Sequence, residues 1–249
     1  GAGTPNNYAA TITNNATFVY SSSADQTLSG IISGSGTLTK NTGTGTLTLS
    51  AANSYSGATA INAGVVAISN NTALGSTAGA TTVASGAALS MSGTLTAVAE
   101  PITVSGLGLT SSPNGAIRNT SGSNTITGLV TLAADTEIQS DSGTLTFDPS
   151  SGSAITGTFN LTFDANTGNV SVADPIATST GNLTKSGTGT LTLAGANTYS
   201  GTTTINASGG TISVTGTLGA GSTPASYAGL ITIGASGTFS YASASDQVL

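Results

Sequence analysis

The sequence predicts an all-β protein whose short strands wind into a β-solenoid, and three observations support this fold class. Only 5% of the 249 residues are charged and 35 are Gly, whereas ordinary globular domains are about a quarter charged. One long segment of the chain occurs twice. Short runs alternate Thr with Leu and are separated by turn residues, with no helical pattern between them. A stack of similar coils accommodates all three features.

The composition favours a folded chain without helices. Hydrophobic residues make up 37% of the sequence and the mean hydropathy is +0.22, which is too apolar for a disordered chain. Thr, Ser, Asn and Gly are poor helix formers, because they lose conformational freedom in a helix or compete for its backbone hydrogen bonds. Cys is absent, so neither disulfides nor thiolate chemistry is expected. The longest apolar runs, such as 65–68, are far shorter than the roughly 20 residues of a membrane helix.

The charge balance argues against two classes of partner. The formal net charge is −6, and Lys40, Arg118 and Lys185 are the only cations. Nucleic-acid binding needs several cations to displace phosphate counterions, and docking on anionic lipid needs clusters of Lys or Arg. We therefore expect no nucleic-acid partner and no membrane contact in this segment. Residues 1–10 lack the basic and apolar regions of a signal peptide, so we expect such a signal to be removed or to lie outside this sequence.

The repeated segment defines the organisation of the chain. Residues 38–63 recur at 183–207, and Tyr55 and Tyr199 occupy equivalent positions 144 residues apart. Because such repeats stack on their neighbours, the whole chain is expected to form one continuous structure. The predicted organisation is one β-helix segment over 1–249, with repeat copies at 36–91 and 181–241 and linking coils at 92–180.

A second, longer match relates residues 16–28 to residues 237–249, at an offset of 221 residues. Both stretches share an aromatic strand followed by Asp-Gln-x-Leu. We expect the native protein to resume after Leu249, in tandem units of about 221 residues that stack along one axis.

Polar and apolar residues alternate strictly within the repeats. The segments 46–49 (Thr-Leu-Thr-Leu) and 144–147 (Thr-Leu-Thr-Phe) place apolar side chains on one face and Thr on the other. No intervening segment is long enough for a crossover helix, which leaves a sandwich, barrel, propeller or solenoid. Propeller signatures are absent, so a solenoid is favoured. Roughly ten coils at about 4.8 Å spacing give a rod of about 50 Å. Its predicted interior ladder includes Leu47, Ile61, Val66, Val83 and Leu89.

Three motifs of the second copy carry a family resemblance. Residues 183–193 (Leu-Thr-Lys-Ser-Gly-Thr-Gly-Thr-Leu-Thr-Leu), 197–201 (Asn-Thr-Tyr-Ser-Gly) and 203–207 (Thr-Thr-Ile-Asn-Ala) resemble the autotransporter-associated β-strand repeat of bacterial passenger domains. The resemblance implies a right-handed parallel β-helix that is exported and then exposed on the cell surface or released. It also implies a role as adhesin, stalk or fibre, and it implies no particular ligand.

Acidic residues are the first candidates for a functional site, because paired carboxylates cleave glycosidic bonds in many enzymes. Asp135 and Glu137 share strand parity, and Asp141 and Asp148 follow. We interpret them as solvated acids on turns. A calcium site formed by Asp141, Asp148 and Asp164 is an alternative, although their spacing matches no calcium-binding loop.

Nucleophilic catalysis is not expected, since the sequence contains no His and no Cys. Lys40 and Lys185 lie in what the repeat pattern predicts to be a surface turn, and we interpret Lys185 as a solvated turn cation in preference to a Schiff-base residue. The sequence therefore predicts no enzyme, no catalytic or metal-binding residue, and no cofactor.

Two further residue types have alternative interpretations. Tyr20, Tyr55, Tyr199 and Tyr241 could be platforms for sugars, but the prediction is packing over a coil corner with the hydroxyl in water. The outward Thr residues at 44, 46 and 48 could match an ice surface, but Thr is also common on any strand.

These observations predict a structural and adhesive rod of an extracellular bacterial surface protein or fibre, with like units as head-to-tail partners. The alternative is a module that binds surface glycans or host receptors. Its specificity would be carried by loops that protrude from the rod, such as Thr110–Asn114 or Asp148–Ser153.

Overall fold

The structure of the protein is a computed structural model that describes residues 6–110, 112–113, 115–219 and 224–249. The regular secondary structure of these residues is entirely β, in about 11 turns of a solenoid, which confirms the predicted fold class. Within the described part of the chain, no helix has the length and hydrophobicity needed to cross a membrane.

The strands are short because each coil turns at closely spaced Gly, Asn and Ser residues. In chain order they are β1 (Asn7–Tyr8), β2 (Ile12–Thr13), β3 (Thr17–Tyr20), β4 (Gln26–Leu28), β5 (Ile32–Ser33), β6 (Thr37–Lys40), β7 (Thr46–Leu49), β8 (Thr59–Ile61), β9 (Gly64–Ile68), β10 (Thr81–Val83), β11 (Ala87–Met91), β12 (Ile102–Gly106), β13 (Gly108–Leu109), β14 (Ser112–Pro113), β15 (Ile117–Asn119), β16 (Ser123–Ile126), β17 (Val130–Ser140), β18 (Thr144–Phe147), β19 (Ile155–Thr156), β20 (Leu161–Ala165), β21 (Asn169–Val172), β22 (Ile176–Ala177), β23 (Leu183–Ser186), β24 (Thr190–Leu193), β25 (Thr203–Ile205), β26 (Thr211–Val214), β27 (Ala225–Ser226), β28 (Ile231–Ile233), β29 (Thr238–Tyr241) and β30 (Gln247–Val248).

Parallel pairing arranges most of these strands in three stacks, which we call faces 1, 2 and 3, while β27 and β30 form a separate parallel pair. Face 1 contains β3, β6, β8, β10, β12, the start of β17, β19 and β22. Face 2 contains β1, β4, β7, β9, β11, β15, the end of β17, β20, β23, β25 and β28. Face 3 contains the pair β2–β5 and the stack β16, β18, β21, β24, β26 and β29.

The core is a set of ladders in which each inward side chain packs on its counterpart in the next coil. The residues of the predicted interior ladder have no accessible surface, so their inward parity is confirmed. On face 2 the register continues from Leu89 through Ile117, Ile138 and Phe163. Such regular burial of apolar area is the main stabilising term of a chain without disulfides.

The two repeat copies do not lie on the same faces. In the first copy β6 and β8 belong to face 1, and β7 and β9 belong to face 2. Their counterparts in the second copy, β23 with β25 and β24 with β26, belong to faces 2 and 3. The 144-residue offset is therefore not a whole number of coils, and equivalent residues of the two copies point in different directions around the rod.

Candidate functional sites

The two lysines are buried in the core ladders, so the prediction that both lie in a surface turn, with Lys185 a solvated cation, is wrong. Lys40 pairs with Ile61 on face 1 and Lys185 pairs with Phe163 on face 2, and neither lysine has accessible surface. The turn after each lysine directs its backbone carbonyl groups inward. A long side chain can therefore lie along the ladder while its ammonium group is satisfied at the corner.

Each ammonium group is enclosed by backbone carbonyl oxygens. Lys185 Nζ donates to the carbonyl oxygens of Ser186, Gly187 and Gly209 at 2.5, 2.7 and 2.8 Å. Lys40 Nζ donates to the equivalent turn, at 2.5 Å to Thr42 and 2.9 Å to Gly43. Burial lowers the pKa of Lys185 to about 8, although Asp164 opposes this shift. Burial also lowers the pKa of Lys40. These contacts tie a corner of one coil to its neighbours.

The tyrosines of the Asn-x-Tyr-Ser-Gly motif pack in the core, as predicted, but their hydroxyl groups are not in water. Tyr55 and Tyr199 have no accessible surface. Their hydroxyl oxygens lie 2.6 Å from Thr59 Oγ1 and 2.9 Å from Thr203 Oγ1. In each copy the inward Thr four residues later supplies a hydrogen-bond partner inside the coil, and this allows complete burial.

The other two tyrosines of the prediction, Tyr20 and Tyr241, lie in the terminal coils and are half-buried. Tyr20 and Tyr241 donate hydrogen bonds to the carbonyl oxygens of Ala24 and Ser245, at 2.6 and 2.7 Å. These local bonds close the turn that follows each strand, so the matched ends of the chain share one corner structure.

The sequence interpretation missed the role of the motif's Asn. The Asn53 side chain accepts a hydrogen bond from the Ile32 backbone and donates one to the Ala73 carbonyl oxygen, at 2.8 and 2.7 Å. Asn197 links Ile176 and Thr217 in the same way, at 3.0 Å each. Each side chain thus bridges the coils on both sides where the strand ladder is interrupted. Its presence two residues before Tyr in both copies was the available signal.

Glu100 is a buried carboxyl group that the sequence interpretation also missed. Its exposed fraction is 4%, and Thr81 Oγ1 donates to it at 3.5 Å. Glu100 lies two residues before Ile102, a paired residue of face 1. The equivalent positions of the neighbouring coils, two residues before their own paired residues, are occupied by Gly57, Gly79 and Gly128. Glu100 therefore lies at a coil corner, in a column that otherwise consists of glycines. Burial raises the pKa of Glu100 to about 7, with Thr81 opposing the shift.

A polar cluster on the outer side of face 2 contains several of the predicted acids. Arg118 Nε donates to Asp141 Oδ2 at 2.7 Å, and Gln139 Nε2 donates to Asp141 Oδ1 at 2.5 Å. Burial and the neighbouring Asp164 raise the pKa of Glu137. Burial also raises the pKa of Asp164, whose Oδ1 is buried without a hydrogen-bond partner.

The prediction of a solvated acid on a turn is therefore wrong for Glu137, which is partly buried on β17. Asp164, which the calcium alternative named, is partly buried on β20. Asp135 is exposed and accepts hydrogen bonds from the backbone and side chain of Asn160 at 2.9 Å each. Asp148 is exposed after β18. The described residues contain no group of three Asp, Glu, His or Cys side chains arranged to hold a metal ion.

One of the two predicted loops forms a hairpin that leaves the coil between β12 and β15. Within the Thr110–Asn114 prediction, residues 111 and 114 lie outside the described residues. Strands β13 and β14 pair antiparallel. Positive φ angles of 89°, 87° and 84° at Gly106, Gly108 and Gly115 let the chain turn away from the face and return. The other loop, Asp148–Ser153, is largely exposed at the corner after β18.

The hairpin covers part of face 2 and leaves a cavity beneath it. Ala88 points outward on β11, yet only 3% of it is exposed, since Leu109 lies over this region. A cavity of about 220 Å³ remains between the hairpin and the sheet. Its lining residues are Thr46, Val65, Ala88, Ser90, Leu109, Arg118 and Thr120.

The fold defines the class of this protein as a parallel β-solenoid whose repeats carry buried lysine and tyrosine corners. Residues 42–68 and 183–214 match the Passenger-associated-transport-repeat family. The chain therefore carries two autotransporter-type passenger repeats, which confirms the resemblance drawn from the motifs, and this repeat family implies secretion to the cell surface or the extracellular space. No curated protein and no solved structure matches the chain significantly.

Proposed function

We propose that this segment is a rigid structural rod of an extracellular bacterial surface protein or fibre. The supporting observation is the stack of parallel strands, in which each inward residue packs on its counterpart in the next coil over about 11 turns. Such a structure bends little, because bending would separate close-packed ladders and strand hydrogen bonds. This role requires neither catalysis nor a cofactor.

We also propose that like coils stack head to tail on the rod. The first described coil has an apolar hollow of about 420 Å³ lined by Tyr8, Ile12, Phe18, Tyr20, Gln26 and Leu28. At the other end, Leu230, Val248 and Leu249 are more than half exposed, at 68%, 51% and 59%. Exposed apolar surface beside unpaired strand edges favours pairing with another strand layer.

Small-angle X-ray scattering over a series of protein concentrations tests both proposals. At low concentration we expect the profile of a single rod, and at high concentration a longer rod of unchanged cross-section. Leu230→Lys should prevent the lengthening, because it places a charge on the end surface. The matched control is Leu129→Lys, at an exposed Leu on the side of the rod. A compact, nearly spherical particle would contradict the rod, and a particle of constant length would contradict the stacking.

A second candidate function is an adhesin module, and the hairpin favours it. Strands β13 and β14 leave the otherwise regular coil between β12 and β15 and cover part of face 2. The Gly residues at their base permit the sharp turns that this requires. A glycan array would distinguish the candidates. Selective binding that is lost on deletion of residues 107–114, but retained in the parent rod, favours the adhesin.

A further inference from the structure

We propose that the cavity beneath the β13–β14 hairpin binds one neutral sugar residue of a glycan. This inference deepens the adhesin candidate and is independent of the rod proposal. The cavity lies between Leu109 of the hairpin and the outer surface of face 2. The small side chains of Ala88 and Ser90 leave room for it, since Ala88 pairs with the larger Val65 in one adjacent strand and Ser90 pairs with the larger Arg118 in the other.

The size of the cavity selects a single sugar ring. Its volume is about 220 Å³, which lies below the roughly 300–1,000 Å³ of pockets that hold drug-sized ligands. That space admits one pyranose ring with its hydroxyl groups, and a second ring would lie outside. A glycan would therefore enter by a terminal residue.

The lining has the mixed character that a sugar requires. Val65, Ala88 and Leu109 offer apolar surface for the C–H groups of a ring, while Thr46 and Ser90 bring hydroxyl groups that can donate or accept. Recognition sites of this kind combine an apolar enclosure with a few polar groups that fix orientation.

The electrostatics favour a neutral sugar over an acidic one. Arg118 lines the cavity, but its Nε is engaged by Asp141 at 2.7 Å, so its positive charge is already balanced. Glu137 and Asp164 lie on the same face, and the chain carries a formal net charge of −6. A carboxylate or sulfate on the sugar would add a negative charge to a face that is already acidic.

The cavity is also preorganised, which lowers the cost of binding. Its floor consists of strands that are paired on both sides within the solenoid. Little conformational entropy is therefore lost when a ligand enters. For a ligand with about a dozen heavy atoms, an affinity on the order of millimolar is expected.

Saturation-transfer NMR with the methyl glycosides of glucose, galactose, mannose and N-acetylglucosamine tests the proposal on the full chain. We expect at least one of them to receive saturation, with methyl glucuronide receiving none. Ser90→Phe fills the cavity and should abolish the signal. The matched control is Ser213→Phe, at an outward, partly exposed Ser of face 3, which should leave the signal unchanged.

Leu109→Ala gives a second, independent readout, because it removes the lid without filling the cavity. It should weaken binding of the responding glycoside by about tenfold, which corresponds to about 1.4 kcal/mol. Far-ultraviolet circular dichroism establishes that each variant is folded. Absence of saturation for all four neutral glycosides overturns the proposal, as does equal loss in the Ser90 and Ser213 variants or binding of the glucuronide alone. None of these outcomes affects the rod, whose shape is measured by scattering without sugar.

Discussion

Lys40 and Lys185 occupy the same position of the two repeat copies, yet one lies on face 1 of the solenoid and the other on face 2. Both place an ammonium group among backbone carbonyl oxygens at a coil corner. The local structure is retained although its direction around the rod changes. The lysine corner therefore stabilises the coil and is not tied to a particular outer surface.

Replacement of Lys185 by Met should destabilise the protein. The Met side chain can fill the apolar part of the ladder, but it leaves the carbonyl oxygens of Ser186, Gly187 and Gly209 without their donor. Buried unsatisfied acceptors cost about 1–3 kcal/mol. Urea unfolding at pH 7 measures the change, with Thr184→Met on the outer side of the same strand as the control. Equal unfolding midpoints for the two variants would contradict a stabilising role for the ammonium group.

The native protein should resist trypsin. The sequence has three Lys and Arg residues. Lys40 and Lys185 have no accessible surface, and Arg118 lies on a strand that is paired on both sides. Cleavage then requires opening of the solenoid, so its rate should follow unfolding. Electrophoresis over time measures this, and the control is the same chain in urea, which should give four fragments quickly. Rapid cutting at Arg118 in native buffer would show that face 2 opens locally.

The inward direction of both lysines could have been read from the sequence. Lys40 follows Leu38 by two residues and Lys185 follows Leu183 by two, so strand alternation alone places each lysine on the buried side. The charge of Lys led to the opposite interpretation. Strand alternation does not predict the carbonyl oxygens that accept hydrogen bonds from the lysines, because these groups come together only when the corner has folded.

Other features could not be obtained from sequence patterns. Glu100 follows a stretch without alternation, so its burial depends on the coil spacing and the glycine column. The shift of the second copy by one face depends on the length of every intervening turn. The alternating ladders were predictable because a period of two residues is a local pattern. The burial of Glu100 and the shift of the second copy depend instead on the combined lengths of many turns.

Unequal effects of the same substitution at two adjacent positions would verify the inward parity of face 3. Leu191 has no accessible surface and lies in register with Val170 and Ile212, while Thr190 points outward. Leu191→Asp would bury an unpaired charge and should cost about 3–5 kcal/mol. Thr190→Asp should cost less than about 1 kcal/mol. Chemical denaturation of both variants gives the comparison, and similar costs would mean that the parity is misassigned.

The buried carboxyl group of Glu100 should make stability depend on pH. Its pKa is raised from the ordinary 4.5 to about 7 in the folded protein, mainly by burial. The folded state therefore favours the protonated form. This group carries no penalty below pH 4.5, loses stability as the pH rises from 4.5 to about 7, and reaches a constant penalty above that range. The shift corresponds to about 3 kcal/mol.

Glu100→Gln separates this contribution from those of Glu137 and Asp164, whose raised pKa values act in the same direction. The neutral amide has nearly the same shape and cannot ionise. The variant should therefore be more stable than the parent by about 2–3 kcal/mol at pH 8 and nearly equal to it at pH 4. Urea unfolding of both proteins from pH 4 to pH 8 provides the measurement. Glu137→Gln is the matched control, and its smaller gain should reflect a partly exposed carboxyl group. If the difference between parent and Glu100→Gln does not change with pH, the carboxyl group ionises without penalty and does not lie in the closed corner described above.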